Sequence, residues 1–455
     1  MGREQLTGWG GTAPSVADVN YPTDGSAVAA LLASAPARGV IARGLGRSYG
    51  DAAQNAGGAV IATAGLDAHH WVDRDLGVIT VSGGTSLDAL LRVALPAGRF
   101  LPVSPGTRHV SVGGAIAADI HGKNHHRDGS FVQHVVSFTL ATPRGVHAVC
   151  PESDADLFWA TAGGLGLTGV ILEATIRLIP VETSAVRVVT ERARDLDDVM
   201  ARMEARDADH RYSVAWVDGF ARAGRVGRGV ITWGDHASVD DLPAPQQADP
   251  LAFDPGPALA VPAVPLPSML NATTVAAFNQ VWFHKAPAKA TTTVESVSHF
   301  FHPLDSVDGW NRLYGRRGFL QYQFVVPFRA GEVVRTALER LRDARCPSFL
   351  TVLKRMGEAT PGPLSFPQPG WTLALDVPAG RAQVSGTLDA IDEIVAEAGG
   401  RVYLAKDSRL RPEMIAAMYP DIERWRAVQR RVDPGGVMTS DLGRRLGLVP
   451  ARRPE

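Results

Sequence analysis

The chain has 455 residues, with 46 basic against 47 acidic, a formal net charge of −1, and 45% hydrophobic and 20% charged residues. This is the balance of an ordinary globular protein with enough core for two or three domains, and nothing in it suits nucleic acid, so no nucleic-acid partner is expected. Two cysteines, Cys150 and Cys346, are too few for a disulfide framework or a cysteine metal site. No apolar run reaches the length of about 18 residues needed to span a bilayer, and the opening MGREQLTGWGG lacks a basic region followed by an apolar core, so neither a spanning helix nor a secretion signal is expected.

Residues 7–25 are rich in Gly, Pro, Asp and Thr and read as a lead-in loop. Asp24-Gly25-Ser26 starts a helix whose apolar face holds Val28, Leu31 and Leu32. The short apolar strand Gly39–Ala42 runs into RGLGRSYGD, residues 43–51. A strand followed by a glycine loop can turn bare backbone N–H groups toward an anion, although a plain turn reads the same. Its third glycine falls one residue late for the dinucleotide pattern G-x-G-x-x-G. Strands are expected at Val60–Thr63 and Gly77–Val81, and Gly83-Gly84-Thr85-Ser86 then leads into a helix with Ser86 as its N-cap.

The stretch Ser104–His126, SPGTRHVSVGGAIAADIHGKNHH, carries the most chemistry. Pro105-Gly106 is a turn. Gly113-Gly114 with Ala115, Ala117 and Ala118 allows backbone to approach something flat and large, because there is almost no side chain in the way. His121, Lys123, His125 and His126 put titratable groups at the end of that approach, which suits a bound cofactor with chemistry at its edge. A small-residue turn with solvated histidines is the plainer alternative. No carboxylate or cysteine completes a metal-ligand spacing, so no metal is expected.

A strand at Val135–Ala141 and a helix at Asp154–Ala160 follow. Residues 164–169, GLGLTG, match G-x-G-x-x-G letter for letter, but a helix precedes them and the strand Val170–Pro180 follows. That order excludes a nicotinamide-binding Rossmann unit and leaves a glycine loop near a cofactor. Beyond Pro180 the expected strands are Val186–Thr190, Tyr212–Val217, Gly229–Trp233, Gly318–Val326, Phe349–Arg355 and Trp371–Val377. Helices are expected near 196–204, 331–345 and 388–397. Gln321 and Gln323 share one strand face, as do Thr372, Ala374 and Asp376. Eight prolines between Leu242 and Ser268 forbid regular structure there, and the loop at 239–270 is expected to be mobile. Leu251, Phe253, Leu259, Val261, Val264, Leu266, Met269 and Leu270 make it apolar enough for a lid or membrane-facing flap, with a surface linker as the alternative. Gly399-Gly400 is expected to turn the chain back toward the first domain, through a strand Arg401–Asp407 that reaches Lys406. Helical pieces near 412–418 and 422–431 precede the tail. Period-two strands interleaved with helices imply an α+β protein with a one-sided antiparallel sheet.

The ordered set of glycine loops, with S-P-G-T-x-x-x-x-x-G-G and G-G-L-G-L-T-G, resembles the vanillyl-alcohol-oxidase/p-cresol-methylhydroxylase superfamily of FAD enzymes. RGLGRSYGD, Ser104–His126, GFLQYQFVV at 318–326 and RVYLAKDSRL at 401–410 make it similar, over nearly the whole chain, to the family of decaprenylphosphoryl-β-D-ribose 2′-oxidases. The resemblance implies a two-domain α+β fold. Residues 1–182 would begin the FAD domain, 183–400 would form the substrate domain, and 401–455 would complete the flavin and active-site region. It implies FAD, held non-covalently because Arg47 stands where related oxidases often carry a flavin-linked His. It also implies oxidation of a polyprenyl-phosphate ribose at its 2′-hydroxyl with hydride passing to flavin N5, a keto-reductase partner completing an epimerisation for cell-wall arabinan, and peripheral membrane or envelope association.

Carried over residue by residue, the cofactor set is Arg43, Gly44, Leu45, Gly46, Arg47, Ser48, Tyr49, Gly50, Ser104, Pro105, Gly106, Thr107, Val112, Gly113, Gly114, Ala117, Ala118, His121, Gly122, Asn124, His125, Gly166, Gly169, Val170, Ile171 and Tyr403. The catalytic set is His121, Lys406 and Tyr49, with the choice between His121 and Lys406 as proton acceptor left open. The substrate set is Lys123, Trp216, Gln321, Gln323, Lys354, Thr372, Ala374 and Lys406. Read without the family, each Lys could be a surface charge, and Trp216 and Tyr49 ordinary core. Ala374 departs from the pattern, since many family members carry there a Cys that nitroaromatic inhibitors trap. The alternatives are a sibling aldonolactone, alditol or sugar oxidase, and a cell-wall scaffold that binds flavin or lipid phosphate without turnover.

Overall fold

The computed structural model describes residues 2–66, 70–221, 224, 226–255, 259–261, 271–346, 348–380 and 382–450. Three sheets organise them. The first has strands Gly2–Leu6, Ser15–Asn20, Ala59–Ala62 and Val40–Arg43 in that spatial order, the last three parallel. The strand Ser15–Asn20 lies inside the expected lead-in loop. Its alternation decides the matter, because Ala17 and Val19 are buried while Val16 points out. The second sheet is antiparallel, in the order His70–Asp73, Val78–Ser82, Val170–Arg177, Val135–Thr142 and Gly145–Val149.

The third sheet is antiparallel and eight-stranded. Its order is Thr291–Ser296, Ala185–Ala193, Gly229–His236, Tyr212–Val217, Thr351–Met356, Gly370–Pro378, Phe319–Val326 and Arg401–Val402. Helices Leu196–Arg206 and Ala382–Glu397 pack on it, and Glu332–Asp343 packs on Ala382–Glu397. Glu332–Asp343 buries Val333, Val334, Ala337, Leu338 and Leu341, an i, i+1, i+4, i+5, i+8 stripe that faces the core.

The expected strand Arg401–Asp407 is only two residues long. After Val402 the chain bends into the helical turn Leu404–Lys406, which swings Lys406 away from the sheet edge. The tail then returns to the N-terminal sheets. Thr439 donates its N–H to the Val40 carbonyl at 2.9 Å and the Val40 N–H donates to Val437 at 2.8 Å. Trp425 donates its indole N–H to Ala160 at 2.9 Å. The proline-rich segment, where described, has helical turns at Val239–Asp241 and Ala244–Gln246 and a two-residue strand, Leu259–Ala260. Val264, Leu266, Met269 and Leu270 of the anticipated lid lie outside the described residues. A helix that the sequence reading did not foresee, Ala272–Lys285, follows.

Candidate active site

Glycine loops of the N-terminal sheets stack backbone on backbone. Gly113 donates its N–H to the Gly83 carbonyl at 2.8 Å, and a Cβ at Gly84 would stand 1.9 Å from the Thr63 carbonyl oxygen. A Cβ at Gly44 would meet Ser111 Oγ at 2.1 Å. Ser111 itself caps the short helix Val112–Ala117 by accepting from Gly114 N. Side chains are excluded here because the loops touch one another, and what remains exposed is peptide backbone. That backbone floors a cavity of about 880 Å³ whose opposite wall is the eight-stranded sheet.

The sheet side presents Trp216, Gln321, Gln323, Lys354 and Ala374, and the turn after Val402 adds Lys406. Their spacing follows from register, since Gln323 pairs with Ala374 and Ala374 with Val352. Thr372 Oγ1 donates to the Phe324 carbonyl at 2.8 Å, so it accepts from Gln323 Nε2 at 2.9 Å. The same amide nitrogen stands 3.0 Å from His121 Nε2. With Nε2 accepting, the neutral ring carries its proton on Nδ1, which faces Lys354 Nζ at 3.1 Å. Lys354 Nζ also donates to the Gly122 carbonyl at 3.3 Å. Tyr403 donates its hydroxyl to the Ala118 carbonyl at 2.6 Å, and its ring lies 5.5 Å from His121.

A second cluster centres on Asp376, which is completely buried. Gln321 Nε2 donates to its Oδ1 at 2.7 Å and the Tyr314 hydroxyl donates to its Oδ2 at 3.3 Å. Lys406 Nζ lies 5.7 Å from the Tyr49 ring centre. Among the described residues no hydrogen bond holds this ammonium, and it faces the cavity. The acceptor oxygens of Gln321 and Gln323 are buried and without a partner among the described residues.

Burial dominates the electrostatics. It drives His121 well below the ordinary imidazole range, helped by Lys354, Lys406 and His125, so the ring is neutral. Lys354 is lowered to about 7 by burial, then by Lys406 and Lys123. Lys123 is lowered to about 8 by burial, opposed by Glu295. Burial also lowers Lys406, with Asp376 opposing, and it raises Asp376, with Gln321, Lys406 and Tyr314 opposing. A cavity lined by Lys123, Lys285, Lys354 and Lys406 against the single carboxylate of Glu295, with Asp376 buried behind its wall near Lys406, suits an anionic occupant and proton transfer near neutral pH.

Most of the expected site residues line this one cavity. Seven stand behind its wall. Arg43 ties the loop to the Thr7 and Ala53 carbonyls at 2.8 and 3.1 Å. Gly50 packs on Asp407, where a Cβ would come within 1.9 Å of the carbonyl oxygen. Val112 and Val170 are core. Asn124 donates to the Pro102 carbonyl at 2.8 Å, His125 accepts from Gly357 N at 3.1 Å, and Thr372 orients Gln323. Lys123 donates to the Phe300 carbonyl and lies 4.1 Å from the Phe300 ring centre. Trp216 donates its indole N–H to the Phe349 carbonyl at 2.9 Å. Sequence reasoning passed over Asp376, although it shares a strand face with Thr372 and Ala374. It also passed over Trp282 and Lys285, which reach the cavity from the unforeseen helix.

An FAD-binding-domain sequence profile matches residues 17–150, and a D-arabinono-1,4-lactone oxidase profile matches residues 379–446. The decaprenylphosphoryl-β-D-ribose oxidase of Mycolicibacterium smegmatis is 44% identical over 98% of each chain. The chain belongs to the decaprenylphosphoryl-β-D-ribose oxidase family. An uncharacterised Streptomyces coelicolor protein from the mprA 5′ region is 42% identical over 80% of this chain and all of its own. Cytokinin dehydrogenase 2 of Oryza sativa subsp. japonica is 33% identical over 47% of this chain and 38% of its own. The family fold is the α+β vanillyl-alcohol-oxidase-like architecture, and the chain is an FAD-dependent oxidoreductase. The residues present fit that cofactor, because a long cavity floored by Gly44–Gly46, Ser104–Thr107, Gly113-Gly114 and Ala117-Ala118 offers backbone polar groups without side-chain obstruction.

Proposed function

We propose that the chain oxidises the ribose 2′-hydroxyl of a decaprenylphosphoryl-β-D-ribose to a ketone, as the first half of an epimerisation that a separate keto-reductase completes. The observation that carries this reading is the grouping of Lys123, Lys354 and Lys406 with neutral His121 in one buried, anion-compatible cavity. The full-length similarity to the Mycolicibacterium smegmatis oxidase supports the substrate class.

FAD, when bound, supplies the two-electron acceptor for the C2′–H bond. The backbone of the glycine loops holds it, and Arg47, in place of a linking His, leaves it non-covalent. Lys406 is assigned as the group that takes the 2′-hydroxyl proton. Both ring nitrogens of His121 are engaged, by Gln323 and by Lys354, whereas Lys406 Nζ faces the cavity with no such partner among the described residues. His121 then acts through Lys354, fixing that side chain and its proton. The open acceptor oxygens of Gln321 and Gln323 receive sugar hydroxyls. Lys123 draws the phosphate, Lys354 joins it in its protonated form, and Trp216 walls the apolar side. The product would serve cell-wall arabinan synthesis, and the enzyme would work at a membrane surface where its lipid-linked substrate resides.

Incubation with a short-chain polyprenylphosphoryl-β-D-ribose and an electron acceptor, followed by mass spectrometry, tests the reaction. A product lighter by two hydrogens, trapped by a hydrazine, is expected. The D-arabinono-1,4-lactone oxidase match over residues 379–446 supports the second reading, a soluble-sugar oxidase. Turnover of aldonolactones or alditols with none of the phospholipid sugar would select it.

A further inference from the structure

The helix Ala272–Lys285 is anchored by one narrow stripe. Val275 and Asn279 are buried, Asn279 Nδ2 donates to Asp218 Oδ1 at 2.8 Å, and the Arg228 guanidinium lies 4.5 Å from the Phe283 ring centre. A second stripe at i, i+3, i+4 and i+7 holds Phe278, Val281, Trp282 and Lys285; Phe278 meets the Phe349 ring edge-on at 5.8 Å, Val281 is exposed, and Trp282 and Lys285 reach the cavity wall. Phe278 is 43%, Val281 69% and Trp282 44% exposed. Phe278 and Trp282 stack at 5.9 Å, so the patch is continuous. Exposed aromatics and a valine side by side on one helix face are a binding feature more than a solvated one.

Charge identifies what the patch meets. No Asp or Glu occurs between Asp254 and Glu295, in a chain with 47 acidic residues. The same region carries Lys285 and Lys289. The sequence has five lysines in all, and Lys123, Lys285, Lys354 and Lys406 line the cavity, with Lys289 one helical turn's length beyond Lys285. Trp282 and Lys285 lie on the cavity wall while Trp282 remains partly exposed, so the stripe forms part of the rim. Glu295, the first carboxylate past the run, stands 3.7 Å from His299. A Trp-bearing apolar stripe with basic residues and no acids, at the mouth of a cavity that takes a lipid phosphate, has the chemistry of an interfacial anchor.

We propose that the Phe278–Val281–Trp282 stripe, with Lys285 and Lys289, docks on an anionic phospholipid surface and presents the cavity mouth to substrate held in that surface. The proposal rests on the lipid-linked substrate reading above. Its occupant is the bilayer, not a second copy of this chain or a protein partner.

The test uses the full-length flavoprotein with Val281→Glu and Lys289→Glu combined, neither residue lining the cavity. Binding is measured by co-sedimentation with phosphatidylglycerol/phosphatidylethanolamine vesicles and with phosphatidylcholine vesicles. The native protein is expected to prefer the anionic vesicles, and the double variant to bind them about tenfold more weakly or less. Flavin content and flavin bleaching by a short-chain soluble substrate should stay unchanged, which separates this surface from the substrate reading. Equal binding by native and variant protein, or no preference for anionic vesicles, overturns the proposal. A native dimer that the double variant converts to monomer also overturns it, by assigning the stripe to self-association.

Discussion

Asp376→Asn is the sharpest perturbation of the proposed proton path. It keeps the size of the side chain and an acceptor for Gln321, but removes the carboxylate that opposes the burial of Lys406. The groups facing this pair are Tyr314, Gln321, Tyr49, Lys354 and the neutral His121. None of the others is an anion at neutral pH, because burial raises both phenols. A nearby opposite charge favours the ammonium by about one pH unit or more, roughly 1.4 kcal/mol per unit. Removing it therefore lowers Lys406 further. If the neutral amine takes the hydroxyl proton, bleaching rises with pH as Lys406 deprotonates, and the midpoint of that rise moves about one unit toward acid in the variant. The assay is anaerobic stopped-flow bleaching at saturating short-chain substrate across pH. A merely structural role would lower the rate at every pH without moving the midpoint. An unmoved or alkaline-shifted midpoint refutes the argument.

Other consequences are independent of that one. Lys406→Ala should stay yellow with full flavin content yet lose about 10²-fold or more in bleaching rate, and a near-native rate would remove Lys406 from the chemistry. Ala374 lines the cavity but offers no thiol, so a nitroaromatic inhibitor should leave no mass shift on the peptide Trp371–Pro378, whereas Ala374→Cys should acquire one. Arg445 bridges Asp51 at 2.8 Å and Asp407 at 2.9 Å, tying the tail to the glycine loop and to the residue after Lys406. Arg445→Met leaves Asp407 Oδ2 without its cation, although Oδ1 keeps the Arg409 and Leu410 N–H groups, and should cost about 1–2 kcal/mol, read as a lower melting temperature and faster flavin loss on dilution.

The floor of the cavity was legible because it is written locally. The glycine-rich loops are contiguous in sequence, and their small residues state directly that backbone must come close. The sheet wall was legible through alternation, which put Gln321 beside Gln323 and Thr372 beside Ala374. Asp376 lay on that same face, yet its meaning depends on Tyr314, Gln321 and Lys406, which register and the final turn bring together from distant segments. The expected strand through Lys406 failed for a related reason. Arg401 and Val402 pair at the sheet edge and the Tyr403 N–H still donates to the Gln323 carbonyl at 2.9 Å, after which the chain turns, with the Tyr403 hydroxyl bonded to the Ala118 carbonyl and its ring stacked on Phe366. The helix Ala272–Lys285 was masked by the prolines before it, and its exposed stripe breaks the pattern by which a core-facing helix is recognised.

The central claim is tested most directly by an anaerobic addition of short-chain polyprenylphosphoryl-β-D-ribose to the purified yellow protein, watched in the visible spectrum. The account expects the flavin to bleach and a 2′-keto product to appear in equal amount. A protein that stays yellow with this sugar but bleaches with a free polyol or aldonolactone would contradict the assignment while leaving the fold intact.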